Sequence, residues 1–308
     1  MEKTIDEYVK ALPEIYQQIW GHKEFGESSR NCEQRAPRII ESVRELQAKL
    51  GEKKLRVLDI GCAQGYFSFA LQDIGCNVVG LDFCKENIEL CEALKEENKL
   101  GCKFIHGKLT KEFIDSLDNG QYDAILCLSV IHHVCNEKGF DYARSILEDL
   151  SRKSELVIAE LALKSEPVYW SQSLPERWED WFCNIAFFDE IGFFSTHLSE
   201  VQRPLVICSN RYAYCERGLF EFTEWKKSSF NQKKEDNFRR YYLNEYTLIK
   251  LCRSGINIDN GYFIEEIIRE IEFLKKTVTL PLSLRFLPLN VVMVKLLLCT
   301  ESIGESCS

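Results

Sequence analysis

Two carboxylates and two glycines in the first third of the chain are spaced to hold a nucleoside. In VLDIGCAQGYFSFAL (57–71) an apolar run ends at Asp59, and Gly61 and Gly65 form a turn that opens into a helical pattern. A glycine turn lets the backbone approach a ligand that any Cβ would hold off. The spacing is D-x-G-x-x-x-G. It is not the G-x-G-x-x-G that brings a pyrophosphate onto a helix N-terminus, which argues against a nicotinamide dinucleotide. Asp82 closes the next apolar run, VVGLD, where an acidic side chain can accept hydrogen bonds from ribose hydroxyls, and Phe83 beside it can cover an adenine face. Asp82 would serve equally as a cap for the helix that follows. A third mark is YDAILCLSVIHHV (122–134), which places Leu128, Ser129, His132 and His133 beyond the carboxyl end of a buried strand. Open α/β sheets bind their ligands there. His132 and His133 either serve an acceptor, as base or anion contact, or simply start a helix with one ring buried and hydrogen-bonded.

These residues need a sheet to position them, and the pattern supplies one. LRVLDI (55–60), NVVGLD (77–82), CKFIHG (102–107), YDAILCLSV (122–130) and ELVIAEL (155–161) read as strands, with helical patterns after the first two and at 110–117 and 138–152. Strands alternating with helices predict a mostly parallel sheet covered on both faces. Apolar spacing also predicts helices over 5–20, broken at Pro13, and over 30–49. RPLVICSNRYAYC (203–215) reads as two strands about a turn at Ser209–Asn210, which would finish the sheet with an antiparallel pair. The aromatic-rich stretch 164–200 is expected to be helical in part, with Trp178, Trp181 and the phenylalanines in the core and Trp170 open between core and site. The polar, basic run Lys226–Arg240 marks 216–240 as a linker between a domain at 1–215 and a second, partial one at 241–308. In that second part 240–252 reads as a strand hairpin and 263–276 as an amphipathic helix.

Composition narrows the classes. The 308 residues carry 45% hydrophobic side chains, enough for a large core, and a net charge of −9, which argues against a general nucleic-acid binder. No two of the 14 cysteines are spaced C-x-x-C, so no metal centre is expected. The charged start, MEKTIDEYVK, has no secretory pattern, which with the many thiols points to a reducing, cytoplasmic compartment. Val278–Cys299 is interrupted by Arg285, Lys295, Pro281 and Pro288 and is read as a strand pair or a disordered end, not a membrane span.

The D-x-G-x-x-x-G turn resembles motif I of class I S-adenosylmethionine (SAM) methyltransferases, whose loop lies beneath the methionine part of the cofactor. A closer resemblance runs through LPEIYQQIWGH, NCEQR, DIGCAQGYFS, LDFCKEN, LSVIHHV, STHLS and RPLVICSN, in order over roughly 8–215. Together these are similar to the methyltransferase half of the bifunctional methyltransferase/kinase family that terminates bacterial polymannose O-antigen chains. The resemblance implies a Rossmann-like SAM-dependent methyltransferase that caps a phosphorylated terminal sugar. Its cofactor residues would be Tyr16, Gln17, Arg35, Asp59, Gly61, Gln64, Gly65, Asp82, Phe83, Gly107, Lys108 and Leu128, with Arg35 suited to the SAM carboxylate. Tyr169, Trp170, His197 and Arg203 would line the acceptor side, near His132 and His133. The implied acceptor is a phosphoglycan or lipid-linked polysaccharide, met by peripheral association at the inner face of the plasma membrane. After the linker, Lys250 on a strand and Glu270 on a helix match a protein-kinase N-lobe. H-R-D-x-x-x-x-N and D-F-G are missing from the sequence, so 278–308 is read as a truncated or disrupted end without kinase activity. Two other readings stand beside this one: methylation of a small metabolite or sugar hydroxyl, and a non-catalytic regulator that keeps SAM binding.

Overall fold

The computed structural model describes residues 3–221 except 183, 186, 216 and 217, and then the strand segments 224–225, 239–243, 247–252, 282–286 and 294–298. The chain divides into two units, Met1–Leu219 and Phe220–Ser308. The first is organised by a seven-stranded sheet: β1 (Arg56–Ile60), β2 (Asn77–Asp82), β3 (Lys103–His106), β4 (Ala124–Leu128), β5 (Leu156–Glu160), β6 (Phe187–Phe194) and β7 (Arg203–Ser209). The spatial order is β3-β2-β1-β4-β5-β7-β6. Strands β1 to β5 run parallel, and β7 is antiparallel to both β5 and β6. The order reverses between β1 and β4, which opens a crevice at their carboxyl ends. Val57, Leu58, Ile125, Leu126, Val157, Ile158, Val206 and Ile207 are fully buried, as expected of strands covered on both faces.

Helices α1 (Ile5–Ala11), α2 (Ala36–Lys49), α3 (Tyr66–Asp73), α4 (Lys85–Glu97), α5 (Lys111–Asp115), α6 (Ile131–Lys138) and α7 (Phe140–Lys153) surround the sheet. A capping box between Thr4 and Glu7 starts α1. The helix ends at Ala11, at the break expected from Pro13, because Leu12 precedes the proline and takes extended backbone at ψ 142°. Residues 12–35 instead cross the site edge mostly in irregular form, and the second helix begins at Ala36.

The closing antiparallel pair is β6–β7, not two strands drawn from 203–215. The turn at Ser209–Asn210 does form, with the Ser209 hydroxyl accepting from the backbone N–H of Arg211 and Tyr212 at 2.9 and 2.8 Å. It turns the chain out of the sheet, so that β8 (Tyr212–Cys215) pairs with β9 (Gly218–Glu221). Strand β9 and β10 (Glu224–Trp225) therefore lie within the stretch expected as linker. Trp181, Phe182, Phe187 and Phe188 are core, with Phe182 stacked on Phe188 at 4.8 Å, whereas Phe193 is exposed.

The second unit contains β10, β11 (Arg239–Leu243), β12 (Thr247–Cys252), β13 (Leu282–Phe286) and β14 (Val294–Leu298) in one antiparallel sheet of order β10-β11-β12-β14-β13. The hairpin expected at 240–252 is β11–β12, and β13–β14 is a strand pair within Val278–Cys299. Lys250 lies on β12, paired with Tyr241 and Val294. Glu270 and the helix expected over 263–276 lie outside the described residues.

Candidate active site

The glycine turn is built by close packing as well as by conformational freedom. Gly61 has φ +69°, and a Cβ there would stand 2.3 Å from Val130 Cγ2; Gly65, at φ +79°, is the left-handed residue from which α3 starts. Asp82 holds the turn to the end of β2. Its carboxylate accepts from Ala63 N at 2.9 Å, Cys84 N at 2.8 Å and Asn87 Nδ2 at 3.2 Å. A carboxylate has about four acceptor positions, so room remains for one ribose hydroxyl before a protein partner must yield. The helix-cap role thus leaves room for a ribose contact on the same side chain. Asp59 sits behind the turn, 2% exposed, accepting from Ser68 Oγ at 2.7 Å. Burial, with Asp82's charge nearby, pushes its carboxyl up to about 6 against the Ser68 hydrogen bond. Through Ser68 it braces α3.

The N-terminal segment is fastened over the turn by two glutamines. Gln64 Oε1 accepts from Gln17 N at 2.8 Å, and Gln17 Oε1 accepts from Tyr66 N at 3.0 Å. Gln64 Nε2 also donates to Asn87 at 2.6 Å, which joins this clasp to Asp82. Phe83 stands 65% exposed at the rim, free to cover a flat ring, with Lys108 Nζ 6.0 Å from its centroid. Lys108 is itself solvated and 4.0 Å from Glu137. Gly107 N donates to Asp82 O at 2.9 Å, and Leu128 ends β4 on the other side of the crevice, buried.

Beside this pocket lies a dry ionic cluster. Glu160, fully buried at the end of β5, accepts from Arg30 Nη2 at 2.5 Å, from Arg35 Nη1 at 3.0 Å and from the Ser129 hydroxyl. Burial alone would raise its carboxyl, but Arg35 and Arg30 outweigh that and hold it below the usual range. Arg203 donates to both oxygens of buried Glu166, at 2.8 and 2.7 Å, and to Ser129 Oγ at 3.2 Å. Arg30 and Arg35 share the single carboxylate of Glu160, Arg203 has Glu166 to itself, and the charge of Arg35 also reaches buried Asp59. Ser129 has φ +58°, uncommon for a residue with a Cβ, and is fixed there through its N–H to Glu160 O at 3.1 Å as well as its hydroxyl.

On the acceptor side the Arg203 guanidinium lies 5.3 Å from the Trp170 ring centroid, and Trp170 packs on His132 at 4.4 Å. Trp170 is buried, so it serves core and site wall together. His132 is 3% exposed and its Nδ1 has no partner; burial, with His133 and Arg203 beside it, drives its imidazole well below the usual range, so it is neutral at pH 7. His133 is more open, and burial and Arg203 lower it too. His197 meets Tyr16 edge-on at 5.9 Å, and burial depresses it despite Glu14 at 3.9 Å. Tyr169 points to solvent, 83% exposed. The sequence reading missed Arg30, Glu160 and Glu166. Glu160 did leave a signal, an acid closing the apolar run ELVIAEL at the same sheet edge as Asp82.

The comparisons fit this geometry. A family model described as a methyltransferase domain matches residues 51–234, more than half of the chain. The O-antigen chain terminator bifunctional methyltransferase/kinase WbdD of Escherichia coli is 39% identical over 249 residues, 80% of this chain and 35% of the relative. The chain thus spans about a third of the length of that relative. Two crystal structures of WbdD, one with the kinase inhibitor LY294002, match 96% of this chain at 34% identity with TM-scores of 0.78 and 0.79, covering 68% and 67% of those chains. A ubiquinone biosynthesis O-methyltransferase of Rickettsia prowazekii is 32% identical over 124 residues, 39% of this chain and 46% of the relative. A glycine turn at a switch point, a strand-end aspartate and a family-model match across the sheet define a SAM-dependent methyltransferase. The chain belongs to the methyltransferase-domain family and is homologous to WbdD.

No helix among the described residues is long and apolar enough to cross a membrane, and among them no group of three His, Cys, Asp or Glu is arranged to hold a metal. Among the described residues nine cysteines are free thiols, all but Cys84 buried.

Proposed function

We propose that this chain transfers a methyl group from SAM to the phosphate on the terminal sugar of a polysaccharide, the reaction that would close an O-antigen chain to further growth. The observation that carries the reading is the acceptor wall: a buried guanidinium, Arg203, beside imidazoles that are neutral at pH 7. Such a wall offers hydrogen-bond donors and no strong base, which favours an acceptor that is already an anion. A phosphate monoester, with its second pKa near ~6, arrives as an anionic oxygen and needs none. A sugar hydroxyl would need a base to take its proton, and burial and the charge of Arg203 make both His132 and His133 weaker bases than a free imidazole.

In this reading Asp82 takes a ribose hydroxyl, Phe83 covers the adenine, and the turn from Gly61 to Gly65 admits the methionine part. Bound SAM supplies a sulfonium methyl group to an oxygen nucleophile. The protein's share is alignment and exclusion of water: the Gln17–Gln64 clasp closes one wall, while Trp170 and Leu128 form the dry side of the other. The acceptor would be a lipid-linked polysaccharide, met by peripheral contact at the cytoplasmic face of the plasma membrane. WbdD is named a methyltransferase/kinase. Neither an H-R-D nor a D-F-G motif occurs in the 308 residues, and no phosphotransfer is assigned to them.

A radiolabelled-methyl assay with a phosphomannosyl oligosaccharide and its unphosphorylated twin tests the reading. Label should enter only the phosphorylated acceptor, and the product should be a phosphodiester that resists phosphatase. Transfer to the unphosphorylated twin would favour the hydroxyl reading, and SAM binding without transfer to either would favour a regulator.

A further inference from the structure

The crevice around Asp82 uses ordinary hydrogen-bonding groups, yet the chain also buries an ionic cluster next to it. Charges removed from water cost several kcal/mol each unless paired and fully hydrogen-bonded. Here the pairing is incomplete in a directed way. Arg30 is 1% exposed and gives Nη1 to Ser195 O and Nη2 to Glu160, while its Nε is buried with no partner. Arg35 is buried too, with its guanidinium 5.0 Å from the ring of Phe67, the second residue of the helix that the glycine turn starts. Arg35 therefore lies against the first turn of the helix that the glycine turn opens, where the amino-acid end of a methyl donor would lie, and Arg30 shares its carboxylate. An anion placed there would give Arg30 and Arg35 a second carboxylate to share.

Arg30 comes from the mostly irregular segment 12–35, and Arg35 is the cap residue that starts α2. What orients them is Glu160, each of whose oxygens takes one guanidinium, and Glu160 is in turn steadied by the Ser129 hydroxyl. We propose that Glu160, supported by Ser129, is a positioning residue that presents Arg30 and Arg35 to the carboxylate of the methyl donor. This rests on the SAM-dependent class of the enzyme but not on the identity of the acceptor. Glu160 touches neither donor nor acceptor; it acts through the arginines.

Two nucleosides separate positioning from bulk stability: S-adenosylhomocysteine, which carries the amino-acid carboxylate, and 5′-methylthioadenosine, which lacks it. Calorimetric titration of the full chain with each is the test. Hydrogen bonds to charged groups correspond to affinity changes of roughly 10- to 100-fold, so Glu160→Gln should lose about that much for S-adenosylhomocysteine. For methylthioadenosine it should stay within about twofold of wild type, since Asp82 and Phe83 are untouched. Ser129→Ala, which preserves every charge, should show the same split at a smaller size, about threefold. It decides the matter if Glu160→Gln does not fold. Equal losses for both nucleosides would make the cluster a structural staple and overturn the proposal, as would no loss for either. Failure of the wild type to bind either nucleoside would instead remove the SAM-dependent assignment beneath it.

Discussion

The central strands carry an ionic cluster at each end, and the two are built differently. At the amino ends Asp123 accepts from Arg56 N at 2.8 Å, from the Arg56 guanidinium at 2.8 and 3.1 Å, and from Lys53 at 2.8 Å. Its partners' side chains are 43% and 44% exposed. At the carboxyl ends Arg30, Arg35, Arg203, Glu160 and Glu166 are each no more than 2% exposed. The first cluster can use water whenever a partner leaves; the second cannot. A solvated clamp pins the start of β1 to the start of β4 at little cost. A dry cluster is expensive to keep, and buried charges of that kind concentrate at functional sites.

The sharpest way to break the contrast is to remove one acid from the dry end. Glu166→Ala strands Arg203 under Trp170 with only the Ser129 hydroxyl left among the contacts described, and should cost about 3–5 kcal/mol in urea unfolding. A loss below about 1 kcal/mol would mean that water reaches Arg203 and that the two ends are alike. At the other end Asp123→Asn should cost about 1 kcal/mol at neutral pH, because solvent screens Lys53 and Arg56, and should leave the affinity for S-adenosylhomocysteine unchanged. Burial pushes the Asp123 carboxyl up, but Arg56 and Lys53 outweigh it and hold it at about 2, below the ordinary 3.8. The native state therefore binds the proton less readily than the unfolded chain. The stabilising contribution is complete above about pH 4 and fades as the pH falls toward about 2, so wild type and Asp123→Asn should converge there. Smallest of all, Lys53→Met should change stability by no more than about 0.5 kcal/mol, since Arg56 retains the carboxylate. A larger change would mark the amino-end clamp as cooperative.

The parallel sheet was legible because its strands are short apolar runs bounded by glycine turns, and burial on both faces writes that pattern directly into residue type. The expected second strand at 212–215 failed as a sheet member for a local reason: the Ser209 hydroxyl captures two successive N–H groups and steers the chain away. The long β6 was hidden in an aromatic stretch because its Phe188 packs on Phe182 and Trp178 of the preceding 3-10 turn, which resembles a helical core stripe in sequence.

Residue type and spacing alone determined the glycine turn, the strand-end aspartate and the class of cofactor they serve, because those depend on contacts within about twenty-five residues of chain. Arg35 was legible as a cation for a carboxylate, but Glu160, on which it is seated, lies 125 residues away. Only the folded chain brings Arg30, Arg35, Ser129, Glu160, Glu166 and Arg203 together, since pairing among buried charges is set by which strand ends meet at one edge of the sheet, and no local pattern encodes that meeting.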